Sequence, residues 1–134
     1  MSESENKQLV RRAFDAWAAG EGGVFDLLAP DARWTIVGSS VVAGTYRREE
    51  FLARVIGPFN ARLATPLVPV VNALYADGDT VIAYFDASAT ARDGQPYRNT
   101  YTWYLRLDGG AVVEAIAFFG SLDLNELWSR VEPA

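Results

Sequence analysis

The sequence contains no histidine and no cysteine among its 134 residues. Histidine is the commonest general base, and histidine and cysteine are the usual zinc ligands, so Ser-His-Asp sites, Cys-His sites and zinc sites are excluded. The lack of cysteine also removes disulfides and thiol chemistry, which is typical of a cytoplasmic protein. Catalysis by this chain would have to use carboxylates, tyrosine, serine, threonine or an added cofactor.

Positive charge is scarce as well. Lys7 is the only lysine, the arginines are scattered, and the formal net charge is −5, so we expect no nucleic-acid partner. Neither a G-x-G-x-x-G nor a Walker A motif is present, and we expect no nucleotide cofactor and no metal. No apolar run approaches the roughly 18 residues of a membrane helix, and residues 1–10 are polar rather than signal-like. These features predict a cytoplasmic protein without a membrane partner.

Hydrophobic periodicity predicts helices in the first half of the chain and at its end. The predicted helices are residues 5–19, residues 24–28, a helix through Glu49 and Val55 that Pro58 kinks or ends, and residues 124–131 behind an Asp123/Glu126 capping box. Short strands are predicted at 33–37 and 41–43.

Four longer strands follow, separated by three turns rich in aspartate and glycine. They are predicted at 67–76, 80–91, 97–107 and 111–119. Helices followed by an antiparallel meander predict an α+β domain with helices packed on one face of the sheet.

The turns also predict which side chains share a face. If Asp93-Gly94 is a two-residue turn, Asp86 lies opposite Tyr101, and if Gly109-Gly110 is another, Tyr101 lies opposite Phe118. A one-residue change in either register would exchange the faces. The predicted pocket face is aromatic with a few polar groups: Tyr84, Asp86, Ser88, Asn99, Tyr101, Trp103, Glu114, Ile116 and Phe118. The opposite face is small, apolar and threonine-rich, which fits contact with a second copy.

Asp86 and Glu114 are the carboxylates left inside predicted strands once caps, turns and termini are removed. An aspartate in mid-strand is disfavoured and needs a reason. For Asp86 the alternatives are proton transfer in the pocket, with a pKa raised by burial, or an ordinary structural or surface hydrogen bond. For Glu114 a solvated position is the favoured interpretation.

Several short motifs, in this order, resemble the SnoaL-like and ketosteroid isomerase-like family of the nuclear transport factor 2-like superfamily. They are WTIVG at 34–38, AGTYR at 43–47, EEFL at 49–52, YADGDTV at 75–81, YRNTY at 97–101 and DGGAVVE at 108–114. The resemblance covers nearly the whole chain. It implies one domain over residues 1–134, a cone of helices on a strongly curved sheet around a pocket, and usually a homodimer. Relatives include isomerases, polyketide cyclases and non-catalytic binding domains, so the fold does not fix the function.

The family's usual catalytic positions are not matched. By this resemblance they fall at Ala13, at Thr35 or Ile36, and at Gly120, none of which is an acid or a base. Tyr101 falls near a donor position and retains a hydroxyl.

The favoured hypothesis is a cofactor-free protein that binds a small, largely apolar, ring-containing molecule. In an isomerase- or cyclase-like reaction, Asp86 would transfer the proton, Tyr101 would donate a hydrogen bond and Asn99 would orient the ligand. The remaining predicted lining residues are Trp17, Tyr84, Trp103, Glu114, Ile116 and Phe118. The alternatives are a non-catalytic ligand-binding domain and a scaffold whose sheet only forms dimers.

Overall fold

The structure, a computed structural model, describes residues 1–134. Helix α1 spans Glu3–Ala18. It begins with a capping box in which the Glu5 backbone N–H donates to Ser2 Oγ, and the Ser2 backbone N–H donates to the Glu5 carboxylate. Its buried side includes Val10, Ala13 and Phe14. The predicted first helix is therefore confirmed within two residues at each end.

The helical segments between the first helix and the last are irregular. A 3-10 turn spans Val24–Leu27. Later in the chain, helix α2 (Arg48–Phe51), a π-helical turn (Leu52–Ile56) and helix α3 (Gly57–Asn60) follow one another without a break. In the π turn, the Gly57 backbone N–H donates to Leu52 O, five residues earlier. Pro58 does not end the helix, which continues to Asn60. The widened π-helical turn lies just before the proline.

Helix α4 spans Ser121–Arg130 and begins three residues earlier than predicted. Its N-cap is Gly120, so the predicted Asp123/Glu126 capping box is wrong. No helix of the structure has the length and apolar character needed to cross a membrane.

Six strands form one sheet in the order β2-β1-β6-β5-β4-β3. Their bounds are β1 Leu28–Ile36, β2 Gly44–Arg47, β3 Val68–Asp77, β4 Thr80–Thr90, β5 Pro96–Asp108 and β6 Ala111–Phe119. The meander from β3 to β6 is confirmed. Strand β1 pairs in parallel with β6, so the sheet is not wholly antiparallel. The strand predicted at 41–43 is a turn, and β2 begins one residue after it.

The β4–β5 hairpin has a three-residue loop, not the predicted two-residue turn. The Ala91 backbone N–H donates to Gln95 O at 2.8 Å, leaving Arg92, Asp93 and Gly94 between them. Gly94 has a φ of 84°, as a three-residue loop of this kind requires. Phe85 therefore pairs with Tyr101, and Asp86 pairs with Thr100.

In the β5–β6 hairpin the turn is as predicted, but the strand behind it is not. Asp108 pairs with Ala111 across Gly109-Gly110. A bulge then leaves Val113 without a partner, because Leu107 pairs with Val112 while Arg106 pairs with Glu114. Tyr101 consequently pairs with Phe119 and not with Phe118.

The predicted faces are therefore correct for β5 and exchanged for β4 and most of β6. The inner face, packed under the helices, carries Ala83, Phe85, Ala87, Asn99, Tyr101, Trp103, Ala115 and Ala117, all buried. The outer face carries Tyr84, Asp86, Ser88, Thr100, Tyr104, Ile116 and Phe118, all exposed. Small inner residues on β4 and β6 leave room for the aromatic side chains of β5 and the helices.

Adjacent substitutions on β4 test this assignment of faces. Phe85 is fully buried and stacks on Tyr101 at 5.0 Å, so Phe85→Ala should lower the free energy of unfolding by about 3–5 kcal/mol. Asp86→Ala, one residue away on the exposed face, should cause a much smaller loss. Chemical denaturation of both variants measures the difference, and a larger loss for Asp86→Ala would contradict the register.

Candidate functional site

A cavity of about 610 Å³ lies between the inner face of the sheet and the helices. Hydrophobic residues make up 18 of the 24 in its wall. Strand β5 supplies Tyr101 and Trp103, helix α1 supplies Trp17, and the region from α2 to α3 forms the opposite side. A cavity of this size and composition is typical of a small-molecule site.

Flat aromatic surfaces dominate the wall. Trp17 and Trp103 are nearly parallel with ring centroids 5.8 Å apart, and Trp34 stacks on Phe51 at 4.5 Å. The Trp17 indole N–H donates to Leu67 O at 2.8 Å, so its one polar group is satisfied at the edge of the cavity. These contacts hold the rings in fixed positions.

The exposed wall residues mark the mouth of the cavity. They are Gly22 and Asp26 on one side and Asn60, Ala64, Thr65 and Pro66 on the other. The second side is fastened to β4, because the backbone N–H groups of Ala64 and Thr65 donate to Thr90 O, and the Thr90 N–H donates to Thr65 Oγ1. The mouth is thus bordered by a loop that is itself hydrogen-bonded to the sheet.

Among the polar groups of the wall, which also include the indole N–H groups of Trp34 and Trp103, is the hydroxyl of Tyr101. It lies 2.8 Å from the hydroxyl of Tyr97, which accepts a hydrogen bond from the Asn99 side-chain amide at 2.9 Å. In the Tyr97–Tyr101 hydrogen bond either hydroxyl can be the donor, because the Tyr97 oxygen can accept from both Asn99 and Tyr101. Of the two tyrosines, Tyr101 belongs to the cavity wall and is the hydroxyl that a ligand can reach.

Asn99 is held by the junction of β6 and α4. Its Nδ2 also donates to Gly120 O, and its Oδ1 accepts from the backbone N–H groups of Gly120 and Thr100, each at 2.9 Å. A Cβ at position 120 would lie 2.8 Å from Asn99 Oδ1. Glycine at 120 thus permits the close approach that fixes the amide.

Burial raises the pKa of both Tyr97 and Tyr101. Tyr101 is affected most, with a pKa well above the ordinary value of 10.0, and burial also raises the pKa of Tyr97. Both phenols are therefore neutral hydrogen-bond donors at physiological pH, not tyrosinates.

Asp86 lies on the outer face, away from Tyr101 and the cavity. Its carboxylate accepts from the Thr100 hydroxyl at 2.6 Å and from the Asn72 amide at 3.2 Å. These hydrogen bonds lower the pKa of Asp86, opposite to the rise expected from burial. The predicted contact between Asp86 and Tyr101 is wrong, and with it goes the reason for assigning proton transfer in the cavity to Asp86.

The other predicted lining residues divide between the two faces. Trp17 and Trp103 lie in the cavity wall, and Asn99 lies behind it as the anchor of Tyr97. Tyr84, Glu114, Ile116 and Phe118 are on the outer face. Glu114 forms ion pairs there with Arg33 at 3.7 Å and Arg106 at 3.5 Å.

Several wall residues were missed because their positions depend on long-range pairing. Phe119 replaces Phe118 through the bulge at Val113, and Phe25, Phe51 and Asp26 come from helical segments whose placement the sequence does not give. The nearest signal in the sequence was the Gly22-Gly23 pair before a short predicted helix. In the structure the Asp26 carboxylate accepts a hydrogen bond there from the Gly23 backbone N–H.

The residues at the positions where the resemblance places the family's catalytic groups have structural contacts instead. Ala13 is buried in α1, Ile36 is part of the cavity wall, and Thr35 shares a hydrogen bond with Thr45 at 3.0 Å. No group of three or more histidine, cysteine, aspartate or glutamate side chains is arranged to hold a metal ion.

Comparison with known proteins gives a consistent picture. The family model of the SnoaL-like domain matches residues 10–115. An NTF2-like protein from Burkholderia thailandensis E264 has 24% identity and a TM-score of 0.74, covering 95% of this chain and 98% of its own. A proposed SnoaL-like polyketide cyclase from Jannaschia sp. CCS1 has 22% identity and a TM-score of 0.70, covering 95% and 93%. PrhC from Penicillium brasilianum NBRC 6234 has 14% identity and a TM-score of 0.79, covering 96% and 88%. A search of curated proteins gave no significant match. The predicted α+β fold with a curved sheet is confirmed.

Alkaline titration tests the tyrosine chain. The folded pKa of Tyr101 is raised, so the stability contributed by its neutral form is complete below about pH 10 and is lost as the pH rises through the folded value. In tyrosinate absorbance, Tyr101→Phe should remove the last step of the native titration. The outer-face control Tyr84→Phe should leave that step in place. A last step that survives in Tyr101→Phe would contradict the assignment.

Proposed function

The chain belongs to the SnoaL-like domain family, and from this membership and its cavity we propose that it binds a small, largely apolar, ring-containing molecule. The observation that carries the proposal is the Tyr101 hydroxyl in the wall of a largely apolar cavity, held in place by its hydrogen bond to Tyr97 and by that of Tyr97 to Asn99. A ligand that fits presents an oxygen acceptor, such as a ketone or quinone carbonyl, to Tyr101. Burial of its ring body supplies affinity, and this one hydrogen bond supplies orientation.

The shape of the wall supports a ligand with flat rings. Trp17, Trp103, Phe25 and Phe51 present ring faces or edges to one another at 5.4–6.4 Å where they meet. Offset and edge-to-face contacts with a planar ligand extend the same pattern. The polyketide cyclase activity proposed for the Jannaschia relative favours the same class of ligand.

Binding is proposed ahead of proton-transfer catalysis because no carboxylate lies beside Tyr101 in the wall, although the charge of Asp123, outside the wall, contributes to the raised pKa of Tyr101. The only carboxylate in the wall is Asp26, at the exposed mouth. A neutral phenol stabilises negative charge that develops on a ligand oxygen, but a proton abstraction also needs a base. The arrangement therefore supports recognition of the acceptor oxygen directly, and supports an isomerase or cyclase step only with a base that the ligand itself carries.

A pair of matched probes tests this function. 2-Acetonaphthone carries a carbonyl, and 2-isopropenylnaphthalene has nearly the same planar shape with a CH2 group in place of the oxygen. Tyr101→Phe should weaken binding of the ketone about five- to tenfold, the value of one hydrogen bond, and leave the hydrocarbon unchanged. Quenching of tryptophan fluorescence measures both affinities, since Trp17, Trp34 and Trp103 line the cavity.

The location of binding has its own control. Ala64→Phe narrows the mouth and should weaken both probes, whereas Ala53→Phe, also exposed but outside the wall, should affect neither. Failure of both probes to bind, or equal effects of the two phenylalanine substitutions, would contradict the proposal.

We also propose that the outer face of the sheet pairs with a second copy of the chain. Tyr84, Tyr104, Ile116 and Phe118 are 37–44% exposed and lie on adjacent strands β4, β5 and β6. An apolar aromatic patch of this kind is unusual on a surface in contact with water alone. This face carries the large apolar side chains, not the small, threonine-rich set predicted for it.

Sedimentation velocity tests the dimer. The wild type should sediment as a dimer at micromolar concentration, and Phe118→Glu should convert it to a monomer because it buries a charge in the interface. Leu122→Glu is the control, since Leu122 is 72% exposed but lies on α4 and not on the sheet. A monomeric wild type would contradict this arrangement.

A further inference from the structure

The cavity wall is uneven in charge. Asp26 is its only charged side chain, and no arginine or lysine is among the 24 wall residues. Arg62, although buried beside this region, is turned away from it. Its guanidinium donates to Pro58 O and Val131 O and lies 4.0 Å from the centre of the Trp128 ring. The positive charge of the chain is thus kept out of the space that a ligand occupies.

The Asp26 carboxylate is fixed at the mouth by the backbone. The Gly23 N–H donates to Asp26 Oδ2 at 2.9 Å, and the other carboxylate oxygen accepts no hydrogen bond from the protein. A Cβ on Gly22 would lie 2.7 Å from Asp26 Oδ2, and Gly22 has a φ of 134°, so only glycine fits there without moving the carboxylate.

The segment that carries Asp26 packs against the aromatic wall. A Cβ on Gly23 would lie 3.4 Å from the Cβ of Trp17, and Trp17 contacts Phe25, the neighbour of Asp26, with ring centroids 6.4 Å apart. Ring faces attract cations through their quadrupole, and a nearby carboxylate adds to the attraction. A carboxylate at the mouth of an aromatic cavity therefore selects a cationic group on a ligand that carries a ring.

We propose that the cavity recognises ligands whose ring body carries an alkylated ammonium group, with the cation placed beside Asp26 at the mouth of the cavity. This inference rests on the proposed binding function, and it adds a second pole to it. The ligand's acceptor oxygen meets Tyr101 at the deep end, and its cation meets Asp26 at the mouth. An anionic group at the mouth is rejected by the same carboxylate.

Three naphthalene probes of matched shape test the proposal. (Naphthalen-2-ylmethyl)trimethylammonium is the cation, 2-neopentylnaphthalene is its uncharged isostere, and naphthalen-2-ylacetate is the anion. By tryptophan quenching at low salt, the wild type should bind the cation about tenfold more tightly than the isostere and should bind the anion most weakly. Asp26→Asn retains an acceptor for the Gly23 N–H, and it should abolish most of the cation's advantage without changing binding of the isostere. Asp108→Asn, at the exposed end of β5 and outside the cavity wall, should leave all three affinities unchanged.

The outcomes separate the two proposals. If the isostere binds and the cation binds no better, the inference is overturned and the binding function stands. If neither binds, both are overturned. If the cation's advantage survives in Asp26→Asn, the carboxylate is not its recognition group and the inference is overturned. Should Asp26→Asn fail to fold, the ratio of cation to isostere affinity in the wild type still decides.

Discussion

The register between β4 and β5 is the constraint on which the rest of the structure depends. It follows from the three-residue loop between Ala91 and Gln95, in which Gly94 takes a positive φ. This loop places Phe85 opposite Tyr101 on the inner face and turns Asp86 towards the outside. Because side chains alternate along a strand, one residue of loop length decides whether the cavity contains an acid or an aromatic ring.

Strand β5 turns that register into a binding arrangement. Tyr97, Asn99, Tyr101 and Trp103 all point inward, so a single strand supplies the hydrogen-bond chain and part of the aromatic wall. The chain is anchored where β6 meets α4, since Asn99 holds both backbone groups of Gly120. The position of the phenol at the cavity thus depends on a contact at the junction of β6 and α4.

Much of this could be predicted from the sequence. The alternation of Asn99, Tyr101 and Trp103 identified the correct face of β5, and the strand at 111–119 was predicted at its observed bounds. Local signals suffice there because a strand's periodicity and a Gly-Gly turn are encoded over a few residues.

The face of β4 was wrong because an Asp-Gly pair serves two-residue and three-residue loops equally well. The face of β6 was wrong because nothing in the Val112-Val113 pair announces a bulge. Asp26 could not be predicted as a wall residue for a different reason, because its position at the mouth depends on how the segment after α1 packs under α2.

The central claim is that a ligand's acceptor oxygen meets Tyr101 inside the cavity. A crystal structure of the protein with 2-acetonaphthone tests it most directly. The probe should lie between the Trp17–Trp103 pair and the α2–α3 region, with its carbonyl oxygen about 2.7 Å from Tyr101 Oη. A probe found on the outer face of the sheet, or inside the cavity with its carbonyl turned away from Tyr101, would contradict it.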